Sequence, residues 1–255
     1  MNDFTNELNL VSKSGYQFIP IKLEGPEQMA LDIFLLEEAI DKKDVSLILR
    51  FYRWEGSWLS LGYNQKNIPK DWELLANKGK LKIVRRPSGG GAVLHSGGIT
   101  YSLIWPNAPR KKHEAYFQAS QWIIEGFKEF GLFLTFGKES PRHISQNCFS
   151  NSTIADLIDQ GGNKRVGSAQ HWKKGYLLQH GEILLNPPHS LWEEVFKEKA
   201  PGNVLNSIKN NEIEFALKNF FEKYFLRFNL KERFLDPKEL EKIKQNSSQY
   251  NYNFN

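Results

Sequence analysis

Arg85-Arg86-Pro87-Ser88-Gly89-Gly90-Gly91-Ala92-Val93-Leu94-His95 is the most informative stretch of this chain. Three consecutive glycines uncover backbone N–H groups and let a ligand come close to the main chain. Two arginines beside them favour a phosphate or a carboxylate. The run is not a P-loop, because no Gly-Lys-Ser/Thr follows. Ala92 to His95 reads as a strand, where a P-loop opens a helix. A plain glycine turn between two strands is the competing reading.

Upstream, Leu81 to Arg85 reads as a strand. Pro26 opens a helical pattern, with Met29, Ile33, Leu36 and Ile40 at helical spacing and Asp32, Glu37 and Glu38 on other faces. Ser46 to Trp54 and Trp58 to Tyr63 read as strands. Downstream, Ile99 to Trp105 is a strand. His113 to Leu132 is a helix with a broad apolar face, and Gly131 marks its end. Residues 137–152 read as a loop, Thr153 to Ile158 as a strand and Asp159 to Asn163 as a turn. Arg165 to Trp172 and Tyr176 to Leu185 read as strands joined at Lys173-Lys174-Gly175. Leu191 to Lys199, Asn211 to Phe228 and Pro237 to Gln245 read as helices, and Asn246 to Asn255 as a loose polar tail. Mixed strands and helices define an α/β or α+β class. The expected organisation is a lead-in over 1–25, one main domain over 26–235, and a small helical C-terminal part with the tail over 236–255.

The chain has 255 residues, 40% apolar and 25% charged. That is ordinary globular composition, and it excludes disorder, collagen and coiled coil. Lys and Arg number 34 against 29 Asp and Glu, for a formal net charge of +5. The charges are dispersed, so no nucleic-acid partner is expected, while an acidic protein partner suits the balance. The first residues lack a signal-peptide pattern, and no run approaches the ~18 apolar residues that span a bilayer. The expectation is a cytoplasmic protein with no membrane association.

One cysteine, Cys148, stands in Asn147-Cys148-Phe149. It allows no intrachain disulfide and suits a reducing compartment. A lone cysteine is usually a small buried hydrophobe. Here its neighbours are polar and Lys164 follows shortly, and a cation nearby favours the reactive thiolate. The next informative segments are Lys164-Arg165-Val166-Gly167-Ser168-Ala169-Gln170 and Gln179-His180-Gly181-Glu182-Ile183-Leu184-Leu185. Small residues inside a strand mark the close approach of a backbone or a ligand. His180 reads as a hydrogen-bonded structural histidine, with a general base as the alternative. The other histidines have no metal-ligand spacing, so no metal is expected.

Together these segments resemble the biotin/lipoate A/B protein ligase superfamily, which holds lipoate-protein ligases and octanoyltransferases. Arg85 to His95 is similar to its signature, Lys164 to Gln170 to its second motif, and Gln179-His180-Gly181 with Ile183-Leu184-Leu185 to its third. Met29-Ala30-Leu31-Asp32, Arg53-Trp54 and Ser60 to Gln65 also match. The likeness runs from about Pro26 to Asn186.

The resemblance implies a mixed β-sheet flanked by helices, the biotin/lipoate ligase catalytic domain, related to class II aminoacyl-tRNA synthetases. It implies that Arg86, Ser88, Gly89, Gly90, Gly91, Ala92, Val93 and His95 meet the acyl substrate. Lys164 would contact the acyl carbonyl. Gly167, Ser168, Ala169 and Gln170 would form a tunnel wall, with His180 and Gly181 beside it. Cys148-Phe149 is similar to the cysteine motif of the LipM-type octanoyltransferases, which lies upstream of the lysine motif. This implies a Cys148 thioester that takes octanoyl from acyl carrier protein and passes it to a lysine of a lipoyl domain or the glycine-cleavage H protein, without a cofactor. The alternative is a lipoate-protein ligase, close to lipoate-protein ligase A, using ATP and Mg and needing no cysteine. A distant alternative is a non-catalytic binder of lipoate or octanoate. Arg165 departs from the pattern, which has an apolar residue after the lysine.

Overall fold

Residues 13–43, 46–138, 146–150, 152–225 and 228–253 are described in the computed structural model of the chain. The elements run β1 (Lys13–Phe18), β2 (Lys22–Leu23), α1 (Gly25–Asp41), β3 (Leu47–Trp54), β4 (Trp58–Leu61), α2 (Lys70–Asn77), β5 (Lys82–Arg85), β6 (Val93–His95) and β7 (Gly98–Pro106). They continue with α3 (Lys112–Lys128), β8 (Thr135–Phe136), β9 (Leu157–Ile158), β10 (Lys164–Lys173), β11 (Tyr176–Leu184), α4 (His189–Phe196), α5 (Asn210–Tyr224), β12 (Phe228–Arg233) and α6 (Pro237–Ser247).

The main sheet has the order β12-β1-β3-β7-β11-β10-β9-β8, with β2 beside β3. It is mixed: β12, β1 and β3 are parallel, and β3-β7-β11-β10 are antiparallel. Side chains alternate across a strand, and β3 shows what that does. Leu47, Leu49 and Phe51 point into a core shared with α3 and α5, where Trp122, Phe127, Leu217 and Phe221 are fully buried. Ile48 and Tyr52 point the other way, into a core shared with α1, Ile243 of α6 and Tyr250. The sheet is thus flanked by helices on both faces. A second, three-stranded sheet, β5-β4-β6, packs with α2 and α4 around Trp72, Trp192 and Phe196.

Local signals explain the elements that position the site. Helix α1 begins at Gly25-Pro26, where proline's missing N–H costs nothing, and Glu27 accepts a hydrogen bond from the Glu24 N–H at 3.1 Å. Met29, Leu31, Leu35 and Leu36 then bury against the sheet. Strands β10 and β11 form a long hairpin with Ser168 opposite Gly181 and Ala169 opposite His180.

The expected elements are present; helix α2 and strand β8 are additions to them, and there are further differences. The helix expected over Asn211 to Phe228 stops at Tyr224, and the chain turns back as β12 beside β1. The segment set apart as a lead-in contributes β1 and β2. Thr153 to Ile158 pairs as a strand only at Leu157–Ile158; before it, the Asp156 side chain accepts from the Thr153 N–H at 2.8 Å and closes a turn. The expected tail is partly fixed: Ser248–Tyr250 forms a 3-10 turn, Tyr250 is 9% exposed, and Asn251 bridges Val84 on β5. Much of the loop expected over 137–152 lies outside the described residues.

Candidate active site

A cleft opens between the glycine run and the β10-β11 hairpin. Its lining includes Arg86, Gly89, Gly90, Val93 and His95 from the first motif, and Cys148. Gly167, Ser168, Ala169, His180 and Gly181 line the opposite side. Ser88, Gly91, Ala92, Lys164 and Gln170, also expected at the site, are not among the residues that line it. Five further residues line it that were not expected as site residues: Met29, Ser60 and Glu182, which lie inside stretches already marked by the family likeness, and Tyr52 and Thr100, which do not. Tyr52 and Thr100 come from β3 and β7, which meet only in the folded sheet, so no local spacing marks them.

The glycine loop is built from inside. Buried Arg86 donates from one nitrogen to Ser60 O at 2.9 Å, and from the other to Gly89 O and Gly91 O at 2.8 and 2.7 Å. Arg85 donates to Gly62 O and Gln65 O, both at 2.9 Å. These arginines, expected to favour a phosphate or carboxylate, hold the loop's main chain, and Arg86 also lines the cleft. Both guanidiniums are engaged with main-chain carbonyls, which a planar fork of donors satisfies well.

Cys148 reaches the loop through a short backbone pairing. Ala92 N donates to Gln146 O at 2.7 Å, and Cys148 N donates to Ala92 O at 2.9 Å. A side chain at Gly91 would lie 2.9 Å from Gln146 O and 3.1 Å from Cys148 N, so only glycine admits this approach. Phe149 anchors the segment by burying against Trp192. Asn147 Oδ1 accepts from the Phe149 N–H at 2.9 Å, and Asn147 Nδ2 donates to Glu198 at 3.1 Å.

Lys164 enters from β10 and points at this cysteine. Its Nζ donates to Cys148 O at 2.7 Å, lies 3.5 Å from Cys148 Sγ, and pairs with Asp156 Oδ1 at 3.0 Å. Burial pulls its value down, but Cys148 and Asp156 outweigh that and hold the ammonium above the ordinary lysine value. A side chain at Gly167 would lie 3.1 Å from Lys164 Cε, so glycine leaves the lysine its path. Arg165 points to the other face, where it binds Asp159 at 2.7 Å and Gly202 O at 2.8 Å. Strand alternation separates the two roles. We expect Lys164→Ala to lower any Cys148-dependent transfer by roughly 10²-fold. Arg165→Ala should lower stability while leaving turnover per folded molecule near normal. Thermal melts beside single-turnover rates check this.

Two buried polar networks hold the rest. His180 Nδ1 hydrogen-bonds to Asp32 at 2.9 Å, and its Nε2 to the Ser88 hydroxyl at 2.5 Å. Both ring nitrogens are thus occupied, and the ring ties the glycine loop to β11 and α1. Asp32 also binds buried Arg50, whose guanidinium reaches Gln28 as well. Burial pushes the Asp32 carboxyl up, but Arg50 and His180 outweigh it and hold it below the ordinary carboxylate value. In the second network, burial drives His95 below the usual histidine value against the pull of Glu182, so the ring is neutral. Its Nδ1–H donates to Glu182 at 2.8 Å, and Nε2 accepts from Ser60 at 2.8 Å. Thr100 donates to Glu182 and accepts from the Trp54 indole at 2.7 Å, while Trp54 stacks on His95 with centroids 4.1 Å apart.

What the arrangement offers chemically is a thiol beside a dehydrated ammonium, at the wall of a preformed cleft of small residues. It suits acyl transfer. The family follows from comparison. Residues 24–215 match the lipoyl protein ligase A/B catalytic domain, and the chain belongs to that family. Octanoyltransferase LipM of Bacillus subtilis is 36% identical over 230 residues, covering 84% of this chain and 81% of its own. The protein of the same name from Staphylococcus epidermidis is 32% identical, covering 98% and 97%. The fold is that of lipoate-protein ligase A bound with ATP, at a TM-score of 0.72, 21% identity, and coverage of 92% of this chain and 95% of that one. It is also that of the bi-partite lipoate protein ligase of Thermoplasma acidophilum, described with its E2 lipoyl domain, at a TM-score of 0.66, 20% identity and 93% coverage of both. Among the described residues no helix is long and apolar enough to cross a membrane.

Proposed function

We propose that this chain is an octanoyltransferase of protein lipoylation, working through a thioester on Cys148. The observation that carries the reading is the sulfur of Cys148, 3.5 Å from Lys164 Nζ beside the cleft. Its relatives over most of the chain bear the name octanoyltransferase. Cys148, as thiolate, adds to the thioester carbonyl of octanoyl-acyl carrier protein. The carbon–sulfur bond to the carrier breaks, and the carrier thiolate leaves and takes a proton from solvent. The amine of a lipoyl-domain or H-protein lysine then attacks the acyl-enzyme. The bond to Sγ breaks, Cys148 returns as thiolate, and the amine's proton goes to solvent. One acyl transfer is thus split into two easier ones. Lys164 meets the negative charge that gathers on the carbonyl oxygen. Arg86, Ser88 and His180 hold the glycine loop that covers the acyl chain.

The scheme uses no ATP, Mg or other cofactor and runs in the cytoplasm. The test is intact mass after mixing the protein with octanoyl-acyl carrier protein in the absence of ATP. A hydroxylamine-sensitive octanoyl adduct on Cys148 is expected. No adduct, with lipoylation of a lipoyl domain once lipoate, ATP and Mg are supplied, would make the chain a ligase. Tight octanoate binding with neither reaction would leave a non-catalytic binder.

A further inference from the structure

Asp156 is fixed independently of the lysine it faces. Its Oδ2 accepts from the Thr153 N–H at 2.8 Å and the Thr153 hydroxyl at 3.0 Å, while Oδ1 meets Lys164 Nζ at 3.0 Å. Its own carbonyl accepts from the Gly137 N–H at 2.8 Å, which ties the turn to the β8 side of the sheet. The Asp156 and Lys164 side chains are each about 5% exposed. A dehydrated ammonium needs negative charge nearby to stay charged. The sulfur at 3.5 Å supplies that charge as a thiolate but not as a thioester. The Asp156 carboxylate is the same in both states.

We infer that Asp156 is a positioning residue for the second half of the reaction, keeping the Lys164 ammonium charged and aimed while Cys148 carries the acyl group. The inference rests on the thioester reading above. In the first half, thiolate and ammonium hold one another. In the second, the sulfur is neutral, and the carboxylate keeps the cation facing the thioester carbonyl. Loss of Asp156 therefore acts unequally on the two halves. A purely structural aspartate would affect both alike.

The two half-reactions separate by rapid quench and intact mass. Octanoyl-acyl carrier protein alone gives the acylation rate, and isolated octanoyl-enzyme mixed with a lipoyl domain gives the transfer rate. In Asp156→Asn, acylation is expected to change little. Transfer should slow by roughly a hundredfold, so the octanoyl-enzyme accumulates. Asp156→Glu should restore transfer in part, because the charge returns. Thr153→Val loosens the carboxylate without removing it, at an exposed position of the turn. It should bias the partition the same way by a smaller factor. Equal slowing of both halves in Asp156→Asn and Thr153→Val, or an unaltered partition in both, overturns the inference. Wild-type protein that forms no octanoyl adduct removes the thioester reading itself, and the inference with it.

Discussion

Cys148→Ala is expected to abolish octanoyl transfer, by at least about 10³-fold, and to leave the fold in place. The side chain is partly buried at the margin of the core around Trp72 and Trp192, so removing one sulfur costs within about 1 kcal/mol. The segment keeps its place through main-chain bonds to Ala92 and through Phe149, none of which involves the sulfur. Lys164 keeps Asp156 and the Cys148 carbonyl as partners. The variant should therefore melt near wild type, bind octanoate, and take no label from octanoyl-acyl carrier protein. Full transfer by this variant would end the covalent scheme. Cys148→Ser, with a far less acidic nucleophile at the same place, should be nearly as inactive.

The second large effect is on stability. Asp32→Ala removes the carboxylate that faces Arg50 and His180 where all three are buried. It leaves the Arg50 guanidinium, 2% exposed, without its carboxylate. Breaking a buried pair from one side costs about 3–5 kcal/mol. In a chain of this size that lowers Tm by roughly 10 °C. His180 loses the bond that sets its ring, and with it the hold on Ser88, so the damage reaches the glycine loop. The same carboxylate gives the fold an acid limit. Its folded-state value lies below its unfolded one, so its contribution is complete above the unfolded value and is lost as pH falls through the folded one. Wild type should lose stability below about pH 4 more steeply than Asp32→Ala does. Parallel melts of the two proteins across that range test it. Equal slopes would mean that Asp32 contributes no pH-dependent stability.

Much of this was legible in the sequence because it is local. The apolar run of β3, the apolar stripe of α1 and the small residues of β10 each declare an element. Lys164 and Arg165 could be assigned to opposite faces only once the strand was in place. What was not legible is pairing across long separations. Strand β12 lies beside β1, about the whole length of the chain away, and apart from Phe228, taken as the end of a helix, its residues carried no assignment. Asp32 fell on an outward face of the helical pattern. It is buried because Arg50 and His180 meet it there, 18 and 148 residues on. Asp156 was read as part of a strand, and the hydrogen bond that turns its chain is a side-chain bond which no apolar periodicity records. Buried charges break the inside-apolar rule where function or specificity requires them, and they are the positions that a sequence reading misses.

Arg86 draws the first turn of the loop, the glycine carbonyls and Ser60 together before any substrate arrives. The groove is therefore a mould, and the entropy of fitting falls on the guest. A saturated chain must freeze its own rotors to enter, whereas the wall has already lost its freedom during folding. Such a host ranks guests by shape rather than by adjusting to them. Loosening the mould from within, as Arg86→Lys would by exchanging a planar fork for a single flexible ammonium, should broaden the range of chains accepted while weakening the hold on each.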